Sequence, residues 1–286
     1  MDGVRIIDAM KATSSTPRAR TLAAGLREVR EAHGVGLRKL ARILGFAPQV
    51  LSLWEKGLRL PTVADVALIL GYFEVRGEKQ RHLLELAGSA REPDWITAGS
   101  PEIPEPLSGL LECERSATTI TNWELGIIPG LLQTADYARA LLSNSNLTLE
   151  QADARLKVRL ERQKILTRPQ PARLNAVIFE TAFRERVGNA DIMSDQYDHL
   201  LEMSRLPNVS LRIVRSGQGY QPGLLGSYLI YEYEELPPII FLEHYSGSAF
   251  LSDDKHLAAY RRLAKMTAEI ALDNEASRSL IAEVTR

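Results

Sequence analysis

The sequence predicts two domains of different class: an N-terminal all-α bundle of short helices and a larger C-terminal α+β domain with one mixed or antiparallel sheet. Three observations support this prediction. The length of 286 residues corresponds to about two domains of ordinary size. Apolar residues recur at helical spacing up to about residue 90, whereas strand-like runs flanked by helices dominate the remainder. Four prolines between residues 88 and 107 indicate a semi-rigid connecting segment.

The charge of the chain is distributed unevenly along its length. Lys and Arg number 35 and Asp and Glu number 36, so the formal net charge is −1. Residues 17–60 nevertheless hold 9 basic and 3 acidic side chains, a net charge of +6, whereas residues 91–286 carry a net charge of −6. Because a basic module can bind phosphates locally, the near-neutral total does not exclude a nucleic-acid partner.

Composition argues against several other classes of protein. The single cysteine, Cys113, can form neither an intrachain disulfide nor a zinc site, which favours a reducing cytoplasm. No apolar run approaches the roughly 20 residues that span a bilayer, so we expect no membrane partner.

The first domain is predicted to be a series of short helices. These helices fall at residues 21–33, 37–44, 48–56 and 78–87, with another that begins after residue 62. Gly34, Gly45 and Gly57 follow three of them as stop signals, and Thr62 with Asp65 has the spacing of a capping box.

The two helices joined by the turn at Gly45 predict a helix-turn-helix, whose second helix enters the DNA major groove. Residues 37–62 resemble the Xre/Cro-type helix-turn-helix family over the full length of the motif. The residues that carry the resemblance fix the core positions, the turn and the exit from the last helix: Leu40, Ala41, Gly45, Leu51, Ser52, Trp54, Glu55, Gly57 and Pro61.

This resemblance implies which side chains meet DNA. The base-reading positions of the family fall on Ala47, Pro48, Gln49 and Leu53, of which Gln49 alone can make the paired hydrogen bonds that read adenine. The side chains suited to phosphate contacts are Arg38, Lys39, Arg42, Ser52, Lys56 and Arg59. Two alternatives stay open: the basic residues form an ordinary solvated face, or Leu53 makes this face a protein contact.

Domain boundaries follow from these patterns. We predict an N-terminal arm at residues 1–17, the DNA-binding domain at 18–88, a Pro-rich linker at 89–106 and the α+β domain at 107–286. In the second domain, helices are predicted at residues 106–117, 134–143, 148–166, 195–205, 253–272 and from 274 onward, and strands at 174–179, 209–214, 227–233 and 239–244. Ser252 is the predicted N-cap of the helix at 253–272.

A second resemblance covers most of residues 105–284. The segment is similar to an effector domain of unknown function in actinobacterial, WhiJ-like and antitoxin-like regulators of the Xre type. The matching blocks are Trp123-Glu124, residues 129–133 and 137–139, Arg162-Gln163, residues 207–209 and 221–223, Gly226, Leu242-Glu243 and Ser248. The resemblance implies regulation and the binding of a ligand or a small partner protein encoded nearby.

The second domain shows no catalytic constellation. The histidines, His33, His82, His199, His244 and His256, form no metal-ligand pair, and the glycine-rich residues 217–226 lie between two strands rather than before a helix. We therefore expect no enzyme activity, no cofactor and no metal. The candidate partner or ligand site is formed by Trp123, Gln133, Tyr137, Arg139, Tyr220 and Glu243. The alternative is that Leu131, Leu132 and Tyr137 pack the core.

The sequence as a whole predicts a cytoplasmic, sequence-specific transcriptional regulator that binds double-stranded DNA as a homodimer and associates with the nucleoid when bound. An antitoxin-like protein, whose main role is to hold a small partner, is the alternative function.

Overall fold

The computed structural model describes residues 16–91, 95–98, 105–143, 147–234, 236–244 and 247–284. Of the predicted arm at residues 1–17, residues 1–15 lie outside the described ones. The N-terminal bundle consists of α1 (Pro17–Ala32), α2 (Leu37–Leu44), α3 (Pro48–Glu55), α4 (Val63–Tyr72) and α5 (Glu78–Ser89). These bounds agree with the predicted helices except at α1, which begins earlier than residue 21.

Helix α1 begins at Pro17 because the preceding residue caps it. The side chain of Thr16 accepts a hydrogen bond from the Ala19 amide, and proline suits the first helical position, where the missing N–H has no partner to lose. The helix then buries Leu22, Leu26 and Val29 in the core of the bundle.

A buried ion pair joins α1 to the end of α3. The Arg30 guanidinium donates to both carboxylate oxygens of Glu55, at 2.7 Å and 2.8 Å, and also to the Val35 carbonyl at 3.0 Å. The Glu55 side chain is only 5% exposed. The hydrogen bond to Glu55 is the main reason that the pKa of Arg30 is raised. Because each buried charge is paired with the other, the ion pair fixes the position of α3 against α1.

The larger domain is built on a seven-stranded mixed sheet with the order β1-β7-β6-β5-β2-β3-β4. Strands β2, β3 and β4 are parallel, and the other neighbouring pairs are antiparallel. The strands are β1 (Trp95–Ala98), β2 (Thr119–Glu124), β3 (Arg173–Phe179), β4 (Val209–Val214), β5 (Tyr228–Glu232), β6 (Ile239–His244) and β7 (Gly247–Leu251). The predicted α+β class with one mixed sheet is therefore confirmed.

Three of these strands were not predicted from the sequence. Strand β1 lies inside the range 89–106 that was predicted to be a linker, and it pairs with β7 at one edge of the sheet. The central strand β2 contains Asn122 and Glu124 among its apolar residues, so its apolar alternation is weak. Strand β7 is only five residues long.

Helices cover both faces of the sheet. They are α6 (Glu105–Ser116), α7 (Ala135–Ser143), α8 (Leu149–Gln163), α9 (Thr181–Arg184), α10 (Ala190–Met203), α11 (Asp254–Ile270) and α12 (Asn274–Val284). Helix α11 packs on one face, with Leu257 against Trp123 and Tyr228. Its N-cap is Asp253, whose carboxylate accepts from the Lys255 amide, and not Ser252 as predicted. The opposite face is covered by helices that include α6, α7 and α10.

The two domains share one hydrophobic core. Helix α1 packs against α6, which contributes Leu110 and Cys113 to the cluster that also holds Leu22 and Leu26. Arg20 of α1 is buried at this junction, where its guanidinium donates to the Pro237 carbonyl and lies 3.9 Å from the centre of the Tyr233 ring. The helix-turn-helix bundle is thus held directly on the sheet domain.

We predict that the change Glu55→Gln lowers the free energy of unfolding by about 3 kcal/mol, because it leaves the buried Arg30 without its counter-charge. Urea unfolding followed by circular dichroism measures this loss. The matched control is Glu31→Gln, which removes the other carboxylate near Arg30, one whose side chain is 60% exposed. An exposed pair contributes less than about 1 kcal/mol, so equal losses in the two variants would contradict the assigned role of Glu55.

Candidate nucleic-acid interface and effector-domain cleft

The turn between α2 and α3 has the geometry of a helix-turn-helix. Gly45 ends α2 in the left-handed conformation, with φ of 75°, and the following Phe46 amide donates to the Ala41 carbonyl at 2.8 Å. A left-handed residue reverses the chain tightly, and glycine adopts it without a steric penalty. The core between the helices is closed by Leu40, Ala41 and Leu51.

The predicted base-reading residues all lie on the solvent side of α3. Ala47, Pro48 and Gln49 form the exposed start of the helix, and Leu53 lies one turn further along with 36% of its surface exposed. Ala47 is the N-cap residue and makes no side-chain cap. Because Pro48 has no N–H and the Val50 amide donates to the Ala47 carbonyl, the amide left open to a phosphate in this first turn is that of Gln49. The start of α3 is therefore free to enter a groove.

The predicted phosphate contacts surround this helix. Arg38, Lys39, Arg42, Lys56 and Arg59 are exposed, and Ser52 is half-buried. None of these five basic side chains forms an ion pair with another residue of the described part of the chain. The positive charge on this side of the bundle is therefore not neutralised from within the described protein.

The structure does not bring the six predicted partner-site residues together on one surface. Trp123 and Tyr137 are core residues: the Trp123 indole donates to the Gly223 carbonyl at 2.8 Å, and the Tyr137 hydroxyl accepts from the Ile128 amide at 3.2 Å. Packing of Leu131, Leu132 and Tyr137 in the core, the alternative interpretation, is what the structure shows. An aromatic side chain with a polar atom is as common in a buried core as in a binding site, so the sequence alone could not distinguish a core position from a ligand-binding position.

Two of the remaining four residues are ordinary surface residues. Arg139 is exposed and pairs with Asp136 within α7, at 2.5 Å. Tyr220 is 75% exposed in the loop before β5. Gln133 and Glu243, in contrast, both belong to a polar region between the sheet and α8.

This polar region begins with a row of side chains at one end of the sheet. Strand register places Asn122, Leu229, Phe241 and Phe250 side by side on the face toward α6 and α7. Because side chains on one face recur every second residue, Glu124, Glu243 and Ser248 form the next row, and Ser227 extends it between them. We refer to Glu124, Ser227, Glu243 and Ser248 as the polar row.

Helix α8 places three polar side chains opposite this face. Arg162 makes two hydrogen bonds of 2.6 Å to the buried Glu114 carboxylate, which also accepts from the Tyr231 hydroxyl at 3.2 Å. Gln163 donates to the carbonyls of Gly130 and Gln133. These groups satisfy one another and fix α8 against α6 and the Gly130 segment.

Arg159 is the exception on α8. It donates to the Gln133 side-chain oxygen at 2.9 Å, while Gln133 is held by its own bond to the Ile128 carbonyl. Its pKa is lowered, first by burial and then by the positive charge of Arg162, and Glu243 acts in the opposite direction. Neither Arg159 nor Glu124 was selected from the sequence as a site residue, although Glu124 lay in a matched block. A carboxylate directly after the apolar Trp123 was the signal available.

The acidity of the Glu124 carboxyl is strongly shifted. Burial raises the pKa of its carboxyl to about 7, against hydrogen bonds from Asn122 and Ser227 that lower it, and the negative charge of Glu243 adds to the rise. Near neutral pH the carboxyl therefore exists in both protonation states.

Comparison with known families identifies the two domains separately. A helix-turn-helix family matches residues 26–79, so the N-terminal bundle belongs to that class of fold. A domain of unknown function, DUF5753, matches residues 107–283. Because this match covers more than half of the chain, the protein belongs to the family that carries this domain. No curated protein and no solved structure matches the chain.

The described residues hold neither a metal-ligand cluster nor a membrane-spanning helix. No group of three or more His, Cys, Asp or Glu side chains in the described ranges is arranged to hold a metal ion. No helix built from the described residues is both long enough and apolar enough to cross a membrane.

We predict that stability depends on pH through Glu124. Its folded pKa of about 7 exceeds the ordinary value of 4.5, so the native state holds this proton more tightly than the unfolded state, and stability falls as the pH rises from 4.5 through 7. The full loss, reached above pH 7, is about 3 kcal/mol.

The variant Glu124→Gln removes this titration and should be the more stable protein at pH 8, with little difference at pH 5. Urea unfolding at intermediate pH values measures the difference. Glu185→Gln, which removes an exposed carboxylate, is the control. A constant difference between wild type and Glu124→Gln at all pH values would rule out this assignment.

Proposed function

We propose that this protein is a sequence-specific DNA-binding transcriptional regulator whose C-terminal domain senses a ligand. The observation that carries the proposal is the exposed start of α3 within a set of unpaired basic side chains. Phosphate contacts from these side chains would supply affinity, and Gln49 would supply discrimination at one base. We propose no catalytic activity for this protein. From the resemblance of residues 105–284, we also propose that it is related to the actinobacterial, WhiJ-like regulators.

The surface of α4 supports a homodimer as the DNA-binding form. This helix is apolar on both sides: Val66, Ile69 and Leu70 face the core, while Leu68 and Tyr72 are 48% and 41% exposed. A helix that is apolar all round is usually buried on all sides. A second copy packed on this face would present two α3 helices to paired half-sites, about 34 Å apart.

The DNA-binding proposal predicts two kinds of loss. Arg38→Ala or Arg42→Ala should weaken binding to all sequences alike and reduce the slope of log affinity against log salt by about 0.9, because one phosphate contact is lost. Gln49→Ala should instead relax the preference at a single base pair and leave the slope unchanged. Titration of fragments from upstream of the gene at several salt concentrations measures both effects and the number of protomers bound.

Arg76→Ala is the matched control, since Arg76 is an exposed arginine beyond the far end of α4 from α3. Wild-type protein that retards no fragment at about 50 mM salt would overturn the proposal. Equal changes in slope for Arg42→Ala and Arg76→Ala would remove the role assigned to the α2–α3 surface.

The alternative function is an antitoxin-like protein that holds a small partner, with DNA binding secondary. The loop between β4 and β5 favours it, because Tyr220 and Leu225 are 75% and 80% exposed and Leu224 is 37% exposed. Neighbouring exposed apolar side chains mark interaction surfaces more often than isolated ones.

This alternative predicts that Leu225→Glu abolishes co-elution with the product of a small reading frame beside the gene, after joint expression. Leu149→Glu is the control, because Leu149 is 87% exposed but lies at the start of α8. Wild-type protein that elutes alone, or equal losses in both variants, would count against partner binding at this loop.

A further inference from the structure

Two charged groups face each other between the sheet and α8 without pairing. Arg159 extends from α8, and Glu243 belongs to the polar row on the face of the sheet toward that helix. Their charges influence one another, but no carboxylate of the described residues lies within the 4.0 Å of an ion pair from Arg159. Glu243 is exposed even though its strand lies between β5 and β7. We refer to the region between the polar row and α8 as the cleft.

One hydrogen bond holds the Arg159 side chain, and its other N–H donors make no hydrogen bond with a described residue. Its hydrogen bond to Gln133 is the only one it makes with a described residue, and an arginine side chain carries five N–H donors. A partly buried guanidinium without a counter-charge is unfavourable unless something pairs with it. A planar carboxylate is the group that matches its geometry, because it can accept two parallel hydrogen bonds.

The opposite wall of the cleft has the complementary chemistry. Glu243 and Glu124 are acceptors on the same face, separated by the width of two strand spacings, about 10 Å. The Glu243 carboxylate makes no hydrogen bond or ion pair with a described residue. Asn122 and Ser227 hold Glu124 in position. An ammonium group is the donor best suited to this wall.

We propose that the cleft between the polar row and α8 binds a small amino acid, whose carboxylate pairs with Arg159 and whose ammonium group pairs with Glu243. The proposal deepens the sensing role given above by naming the class of signal and its site. Leu229, which is half-buried in the neighbouring row, provides an apolar floor for the carbon chain. Binding itself requires no DNA, so the site can be tested separately.

Calorimetric titration of the full chain, without DNA, tests the proposal. The probes are the standard amino acids together with γ-aminobutyrate and ε-aminocaproate, and the matched single-charge compounds are butyrate, caproate, butylamine and hexylamine. At least one amino acid should bind more tightly than every single-charge compound. If no amino acid binds at millimolar concentration, or if a single-charge compound of equal length binds as tightly, the proposal is overturned.

Substitutions then test which residue binds the carboxylate of the ligand and which binds its ammonium group. Arg159→Gln and Glu243→Gln should each weaken binding by about tenfold or more, and Arg159→Lys should restore part of the loss, because it keeps the charge without the planar fork. Lys157→Gln, an exposed change on α8, should bind like wild type. Thermal unfolding of each variant confirms that it is folded. Unchanged affinity in Glu243→Gln would overturn the ammonium assignment.

The outcomes separate this inference from the proposed regulator. If the protein binds an amino acid but retards no DNA fragment, the proposed binding site stands and the proposed regulatory function is rejected. If the protein retards DNA but binds no amino acid, the regulatory function stands and the binding site is rejected.

Discussion

The burial of α1 between two domains is the constraint on which the structure depends. One side of this helix completes the helix-turn-helix core through Leu22 and Leu26, and the same hydrophobic cluster continues through α6 into the sheet domain. Arg20 lies at the junction, where its guanidinium donates to the Pro237 carbonyl and lies over the Tyr233 ring of the other domain. Removal of that surface would expose apolar area and leave a buried cation without its acceptors, so the two domains are stable together as one unit.

This shared packing connects the polar region of the C-terminal domain to the helix-turn-helix bundle. Arg162 and Arg159 are neighbours on α8, and Arg162 is bound through two hydrogen bonds to Glu114 of α6. Helix α6 packs on α1, and the ion pair between Arg30 and Glu55 connects α1 to α3. A contiguous set of buried charges and packed helices thus runs from the cleft to the start of the recognition surface. Within this set Arg162 and Glu55 are each paired with an opposite charge, whereas Arg159 makes one hydrogen bond with a described residue, to Gln133.

The helix-turn-helix was almost fully predictable because its signals are local. The left-handed Gly45, the capping box of Thr62 and Asp65, and the apolar spacing of α2 each act within a few residues, and the structure reproduces all three. The sheet domain was predictable in class but not in detail. Strand β2 is an interior strand between β5 and β3, yet Asn122 and Glu124 interrupt its apolar pattern, because these two side chains hydrogen-bond to each other. Trp123, Gln133 and Tyr137 were assigned to a binding surface because an amphipathic side chain has the same appearance in sequence whether its polar atom meets a backbone group or a ligand.

By itself the sequence determined the two domain classes and the helix-turn-helix with its basic residues, because composition, spacing and turn chemistry are properties of short segments. It placed the C-terminal domain among those of unknown function. Only the tertiary structure decided which polar residues are saturated. Glu114, Tyr231 and Arg162 are brought from three elements into one network, whereas Arg159 and Glu243 come from a helix and a strand about eighty residues apart and stop short of each other. The physical reason is that a hydrogen bond or an ion pair depends on distances of a few ångströms between groups that are remote in the chain, and packing alone sets those distances.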